Sequence, residues 1–171
     1  MTPNDIVVGR WGARFRGRRF PCSIGKGGIV RDKREGDGGT PVGVWRLIGA
    51  GYRADRTPPP WAGRGVVRLA QITPTDIWSD DPEDPRYNHG LRARDHAYSH
   101  ERLRRPDPQY DLLFATDYNW PDATPHRGSA IFVHVWRAPR HGTAGCVAFR
   151  RDHLVWIAKR LRPESRLIIQ S

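Results

Sequence analysis

Two apolar segments, separated by a short loop that contains glycine, limit the folds open to this chain. Residues 129–136 are rich in β-branched and aromatic side chains, which is typical of a buried strand. The chain then passes through a basic turn with a proline at 137–141 and a run of small residues at 142–145. The apolar pattern resumes at 147–149, so we expect a tight return loop between two buried segments.

This loop can bring a thiol close to an imidazole. His134 lies inside the first apolar segment, and Cys146 directly follows the small-residue run. A base beside a cysteine raises the thiolate fraction and can later pass the proton to a leaving group. The glycines leave room for backbone N–H groups to face a developing oxyanion. The alternative interpretation is an ordinary buried cysteine and a hydrogen-bonded core histidine.

The rest of the chain predicts a mainly β fold with one clear helix. Apolar residues recur at helical spacing over 151–161, and Pro163 ends the pattern. Proline and aspartate are dense over 76–89, which predicts a long irregular segment that caps the site. With 171 residues and no repeat or linker, we expect a single domain, residues 1–171. Further strands are expected at 6–8, 15–24, 43–48, 65–72, 110–116 and 166–170.

The formal net charge of +11 raises the question of a surface that binds polyanions. The lysines are only Lys26, Lys33 and Lys159, and the arginines are scattered among acidic residues rather than grouped. We therefore do not expect nucleic acid as a partner, and an anionic cell-wall polymer is the better candidate. No apolar window is long enough to span a membrane, and residues 1–5 do not begin a signal peptide. Cys22 is expected to be a free cysteine on a strand.

At the thiol and the imidazole the sequence resembles the L,D-transpeptidase catalytic domain, also called the YkuD domain. The family signature is a strand that ends in histidine and a loop that closes with S/T-x-G-C and an apolar residue; it appears here at 132–134 and 143–147. Other blocks are similar to a short-chain branch of the family, and all of them follow one order between about residues 25 and 149. These blocks are 25–28, 33–37 with 40–41, 99–101, and Tyr110 with 117–119.

The resemblance implies a YkuD-like β-sandwich or barrel that transfers acyl groups between peptidoglycan stem peptides. Cys146 is the implied nucleophile and His134 the general base, with the backbone N–H groups of Gly145 and Cys146 as the expected oxyanion hole. No metal and no other cofactor is expected. The implied partners are donor and acceptor stem peptides, the implied location is the cell envelope or periplasm, and we expect a monomer. The residues expected to contact substrate are Arg34, Glu35, His100, Tyr118, Asn119, Trp136, His141 and Thr143.

Two other functions remain open from the sequence. His96 and His100 are spaced to share one face of a helix, which is half of a zinc site, and His89 and Asp95 are near in sequence. A zinc-dependent peptidoglycan hydrolase is therefore the alternative enzyme, although the absence of an HExxH motif favours an ordinary polar helix. The alternative without catalysis is an arginine-rich module that binds the cell wall or nucleic acid.

Overall fold

A large curved sheet forms the body of the protein. In this computed structural model residues 1–58 and 69–171 are described, and within them the α-helix is α1 (Arg151–Ala158) and a short 3-10 helix spans Pro108–Tyr110. The strands are β1 (Ile6–Gly9), β2 (Gly12–Phe15), β3 (Arg18–Phe20), β4 (Cys22–Ser23), β5 (Ile29–Val30), β6 (Thr40–Pro41), β7 (Gly43–Tyr52), β8 (Leu69–Gln71), β9 (Asp76–Ser79), β10 (Gly90–Arg92), β11 (His100–Arg102), β12 (Leu112–Thr116), β13 (Phe132–Val135), β14 (Val147–Phe149) and β15 (Arg166–Ile169).

The main sheet contains ten strands and nearly closes on itself. Its order is β3-β2-β1-β15-β7-β12-β13-β14-β4, and β8 pairs with β7 off this path. The two outer strands, β3 and β4, are separated in the chain by Pro21 alone, so the sheet must curve to bring its ends together. A second sheet has the order β10-β9-β11, and β5 pairs with β6. This mainly β, barrel-like architecture confirms the predicted fold class.

Alternation along β13 and β14 directs side chains to two sides of the main sheet. Phe132 and Cys146 belong to an apolar cluster that includes Trp78 of the second sheet. Since residues two apart on a strand share a face, His134 lies on the same side as Phe132. The residues on the opposite side pack in the main core with α1; they are Val133, Val135, Val147 and Phe149. The strand pair therefore contributes to the core with one face and to the region between the two sheets with the other.

The helix predicted at 151–161 is confirmed except for its last turn. Leu154 and Ile157 are fully buried in the main core, as the helical spacing requires. The helix ends at Ala158, but the Leu161 N–H still donates to the Ile157 carbonyl at 3.1 Å. Among the described residues, no helix is long and apolar enough to cross a membrane.

Several strand boundaries differ from the predicted ones because of local backbone conformation. The strand predicted at 129–136 begins only at Phe132, since Ala130 has a φ of 51°, which is incompatible with a strand. The strand predicted at 15–24 is divided into β2, β3 and β4. Arg16 and Gly17 both have positive φ and form a tight hairpin turn, and Pro21 lacks the N–H that would continue the ladder.

Other differences arise from pairing that is remote in sequence. β7 continues past the predicted 43–48 to Tyr52, because the glycine-rich segment 49–52 pairs with β12. The segment predicted as irregular at 76–89 contains β9, which pairs with both β10 and β11. The strands at 6–8 and 166–170 are confirmed as β1 and β15, and that at 110–116 begins at Leu112. Of the strand predicted at 65–72, residues 65–68 lie outside the described residues and Leu69–Gln71 forms β8.

The polar helix expected around His96 and His100 was a wrong prediction. His96 lies in an irregular segment, and His100 begins β11, where it pairs with Ser79 of β9. A strand partner far along the chain thus determines the conformation here rather than the i, i+4 spacing.

Asp111 links three segments at the start of β12. Its side chain is 2% exposed and accepts hydrogen bonds from Arg151 of α1 at 2.7 Å and from Arg56 at 3.3 Å. These ion pairs connect the helix and the segment at 53–57 to the central strands.

Replacement of Asp111 by alanine should lower the free energy of unfolding by about 2–3 kcal/mol, because both arginines lose a buried partner while staying partly hydrated. The matched control is Asp32→Ala, whose ion pair with Arg34 is largely exposed and should change the free energy by less than about 0.5 kcal/mol. Urea unfolding of both variants tests this expectation. Equal losses in the two variants would contradict the structural role of Asp111.

Candidate active site

A cleft of about 270 Å³ lies between the two sheets, beside the loop that joins β13 to β14. His134 and Cys146 both line it, together with Glu35, His141 and Thr143 among the residues predicted to contact substrate. The thiol and the imidazole that the sequence pairs are therefore brought to one cleft.

Cys146 is held by backbone groups in a buried position. The residue is 8% exposed, the Phe132 N–H donates to its Sγ at 3.3 Å, and its thiol donates to the Ala130 carbonyl at 3.1 Å. Burial raises the pKa of the thiol to about 12, although the Phe132 N–H acts in the opposite direction. The thiol is therefore neutral near pH 7.

His134 is also buried and neutral. It is 3% exposed, and burial lowers the pKa of its imidazole to about 4. Its Nδ1 lies 2.8 Å from the Val135 carbonyl oxygen, which can only accept, so Nδ1 carries the proton and Nε2 is left as an acceptor. The ring also contacts the edge of Tyr110 at a centroid distance of 5.2 Å. The Val135 carbonyl thus orients the ring without a carboxylate partner.

The two side chains share one face of the sheet but do not hydrogen-bond to each other. β13 and β14 are parallel, with Val133 opposite Val147 and His134 opposite Ala148. Cys146 therefore lies beside Phe132, and His134 is its diagonal neighbour. Both side chains line the same cleft, and the thiol donates to the Ala130 carbonyl rather than to the imidazole.

A threonine pair fixes the loop that delivers Cys146. The Thr143 hydroxyl donates to the Cys146 carbonyl at 2.7 Å and accepts from the Gly145 N–H at 3.1 Å. The Thr40 hydroxyl, fully buried, donates to the Gly145 carbonyl and accepts from the Gly25 N–H, each at 2.8 Å. The Gly145 N–H of the expected oxyanion hole is thus occupied by Thr143 in this structure.

Asn88 holds Ala130, the residue whose carbonyl accepts the hydrogen bond of the Cys146 thiol. Its side-chain oxygen accepts from the Ala130 N–H and from the indole of Trp78, both at 3.0 Å. Its amide group donates to the carbonyls of Tyr118 at 3.0 Å and Asn119 at 2.7 Å. Every hydrogen-bonding position of this buried amide is therefore used, and Ala130 is kept in its left-handed conformation.

Lys33 is a buried member of the site that the sequence interpretation missed. Residues 33–37 read as a charged block, yet Lys33 is 2% exposed and lines the cleft. Its Nζ forms an ion pair with Asp37 at 2.5 Å and donates to the Arg34 carbonyl at 2.7 Å. Its charge favours the thiolate of Cys146 and so opposes part of the rise in the thiol pKa.

Tyr110 and Glu101 form a second polar pair in the cleft. The Tyr110 hydroxyl donates to the Glu101 carboxylate at 2.5 Å, and both residues line the cleft. Burial first, and then the neighbouring Cys146, raises the pKa of the phenol well above its usual range. Tyr110 and Glu101 lie in two of the sequence blocks that are similar to the short-chain branch of the family. That similarity was the sequence signal that could have identified them as cleft residues.

The other five residues predicted to contact substrate do not line the cleft; they are Arg34, His100, Tyr118, Asn119 and Trp136. Arg34 is exposed and forms an ion pair with Asp32 at 3.2 Å. The Tyr118 hydroxyl donates to the Arg127 carbonyl, and the Asn119 amide donates to the carbonyls at 124 and 128. Tyr118 and Asn119 thus hold the loop that leads into β13.

The histidines of the alternative zinc site are engaged elsewhere. The rings of His96 and His100 lie 5.5 Å apart, but Nε2 of His96 contacts the Asp84 carboxylate at 2.7 Å. Nδ1 of His89 and of His100 each contacts a backbone carbonyl at 2.8 Å. Within residues 1–58 and 69–171, no group of three or more His, Cys, Asp or Glu side chains is arranged to hold a metal ion. Both cysteines are free, as predicted for Cys22, which lies on β4.

Gly145 is required by space as well as by conformation. Its φ is +146°, and a Cβ there would lie 2.9 Å from the Gly39 carbonyl oxygen and 3.1 Å from Ile131 Cδ1. Gly17 provides a matched control, because its φ is +74° and nothing lies within 4 Å of its Cβ position.

We expect Gly17→Ala to lower the free energy of unfolding by about 1–2 kcal/mol, the cost of a left-handed backbone alone. Gly145→Ala should cost more, and the rate of alkylation of Cys146 by a small electrophile should change only in that variant. Urea unfolding and mass spectrometry of the alkylated protein measure the two effects. An unchanged alkylation rate in Gly145→Ala would show that this loop does not determine the position of the thiol.

Comparison with known proteins identifies the family of this chain. A family model for the L,D-transpeptidase catalytic domain matches residues 11–169, nearly the whole chain. No curated protein and no solved structure matches the chain. From the extent of the family match, the chain belongs to the YkuD family of L,D-transpeptidase catalytic domains.

Proposed function

We propose that this protein cross-links peptidoglycan stem peptides through a thioester on Cys146, with His134 as general base and acid. The observation that supports this most directly is the placement of a buried thiol and an oriented, neutral imidazole in one cleft. Peptidoglycan as substrate follows from the family to which the chain belongs.

In the first step, the thiol turns from the Ala130 carbonyl towards Nε2 of His134 and transfers its proton to the imidazole. Sγ attacks the amide carbonyl carbon of the donor stem, and the C–N bond breaks as the imidazolium protonates the departing amine. The product is a thioester on Cys146, with the C-terminal residue of the donor released. An amine of a second stem then attacks the thioester, forms the new amide bond and returns the proton to Sγ through His134.

Backbone donors stabilise the tetrahedral intermediates in this scheme. The Cys146 N–H is adjacent to the reacting sulfur, and the Gly145 N–H becomes a second donor when it leaves the Thr143 hydroxyl. The positive charge of Lys33 also favours negative charge at this site, since it favours the thiolate form of Cys146.

The resting site is a neutral pair rather than a thiolate–imidazolium pair. Both side chains are buried, so charge separation before substrate arrives carries a desolvation cost. Proton transfer therefore accompanies attack on the substrate.

Water can replace the acceptor amine in the second step, which would give a carboxypeptidase side activity. We also propose the cell envelope as the location, stem peptides as partners and a monomer as the active form.

A carbapenem-type β-lactam should acylate Cys146, because its strained amide is an accessible analogue of the donor amide. Intact-protein mass spectrometry should show one adduct in the wild type and in Cys22→Ala, and none in Cys146→Ala. Incubation with muropeptides should show cross-linked products that disappear in the same Cys146→Ala protein. An adduct that follows Cys22, or turnover in a folded Cys146→Ala protein, would refute the proposed nucleophile.

Substitution of His134 by alanine should slow acylation of Cys146 roughly a hundredfold or more, the usual effect of losing a general base. His141→Ala is the matched control, since His141 lines the same cleft but is exposed and lies in the loop. Because the folded pKa of His134 lies near 4, the base form persists as the pH falls through 6.5. The wild-type rate should therefore decline only as the pH approaches about 4.

Single-turnover acylation of the wild type and of both histidine variants at several pH values makes this measurement. The assignment of His134 as the base would be wrong if the wild-type rate halved at a pH near the unperturbed pKa of histidine. It would also be wrong if the acylation rate fell more in His141→Ala than in His134→Ala.

A further inference from the structure

A second groove, of about 690 Å³, lies on the hairpins at the start of the chain, outside the catalytic cleft. It is lined by parts of β1, β2 and β3 and by the loop between β13 and β14. We call it the arginine groove, after the five residues that characterise it: Arg10, Trp11, Arg14, Arg19 and Arg140. Among the described residues that line it, none is an aspartate or a glutamate.

The arginines of this groove lie close enough to repel one another. Arg14 and Arg19 are directly opposite each other on the antiparallel strands β2 and β3, and both side chains are exposed. Like charges at directly opposite positions destabilise a sheet. None of the four arginines forms an ion pair with a described residue, whereas arginines elsewhere, such as Arg53 and Arg166, do. Clustered arginines with no acidic side chain among the described lining residues favour binding of an external anionic partner.

Trp11 adds a large apolar surface to this charge. It is 78% exposed at the turn between β1 and β2, and the Arg10 guanidinium lies 4.6 Å from its ring centroid. An exposed indole has no role in the core, and tryptophan and arginine together are the residues that interfaces favour. The combination fits a polymer that presents both flat apolar ring faces and carboxylates, as a glycan strand with peptide stems does.

The groove is adjacent to the catalytic cleft. Arg140 lines the groove, and the next residue, His141, lines the cleft, as does Arg137 of the same loop. The loop at 137–141 thus contributes residues to both sites, and a polymer bound at one site can extend along this loop to the other.

We propose that the arginine groove binds a carboxylate-bearing stretch of the same peptidoglycan strand whose stem peptide occupies the cleft. This inference rests on the proposed function, because it takes the polymer from that function. The groove would retain the enzyme on the insoluble substrate while stems enter and leave the cleft, so it raises the local concentration of donor and acceptor.

The test is co-sedimentation of the purified protein with protein-free peptidoglycan sacculi from which other wall polymers have been removed. Arg14→Glu combined with Arg19→Glu makes the four-arginine groove neutral, and Trp11→Ala removes the indole. The control combines Arg94→Glu with Arg162→Glu, which makes the same change in net charge at exposed arginines outside both sites. The rate of Cys146 acylation by a soluble carbapenem checks in every variant that the cleft is folded.

We expect the apparent affinity for sacculi to fall roughly tenfold or more in the double-glutamate variant and to fall in Trp11→Ala. The control should bind like the wild type, and the wild-type affinity should decrease as salt is added. Equal binding by the wild type and the groove variants would overturn the proposal. So would equal losses in groove and control variants, or groove-dependent binding to a single-stranded oligonucleotide or to phosphate-bearing wall polymer without binding to stripped sacculi. The proposed function fails separately, through an absence of acylation at Cys146 in the wild type.

Discussion

The parallel pairing of β13 with β14 is the contact on which the rest of the site depends. It aligns His134 with Ala148 and so places Cys146 beside Phe132, on the face that looks away from the main core. A parallel pair needs a connection that crosses back over the sheet, and here that connection is the loop that carries His141, Thr143 and Gly145. This loop is therefore a topological requirement of the two strands, and it also carries residues that line the cleft.

Burial on both sides of this strand pair determines the chemistry of the site. Val133 and Val147 anchor the strands in the main core, while on the other side Trp78 of the second sheet belongs to the cluster of Cys146 and Tyr110 packs against His134. The same burial that stabilises the strands keeps Cys146 and His134 uncharged. An uncharged resting thiol is a poor target for adventitious oxidants and electrophiles, since the thiolate is the reactive form. Reactivity in such a site depends on a substrate that fills the cleft and excludes water.

The sequence predicts those parts of the structure that depend on local patterns. The mainly β class, α1, β1 and β15 follow from periodicity, and the short return loop predicted that Cys146 and His134 could lie close together, an interpretation that the family resemblance strengthened. The sequence could not reveal the role of Lys33 or of the Val135 carbonyl, since both depend on contacts between segments or on ring orientation. The helix expected at His96 and His100 failed for a related reason: pairing with β9 outweighs an i, i+4 pattern when the local propensity is weak. The contacts with substrate remain predictions, and Glu35, His141 and Thr143 are those that line the cleft.

The hydrogen bonds of Asn88 limit which residues can replace it. Its amide accepts from Trp78 and Ala130 and donates to two carbonyls of the segment at 118–119, so it joins three other parts of the chain. Aspartate has nearly the same shape, but it would turn a negatively charged oxygen towards those two carbonyls. That substitution would remove both donor bonds to the segment at 118–119 and so weaken the support of Ala130, whose carbonyl accepts from the Cys146 thiol. The position of the Cys146 thiol thus depends on Asn88, a side chain that does not line the cleft.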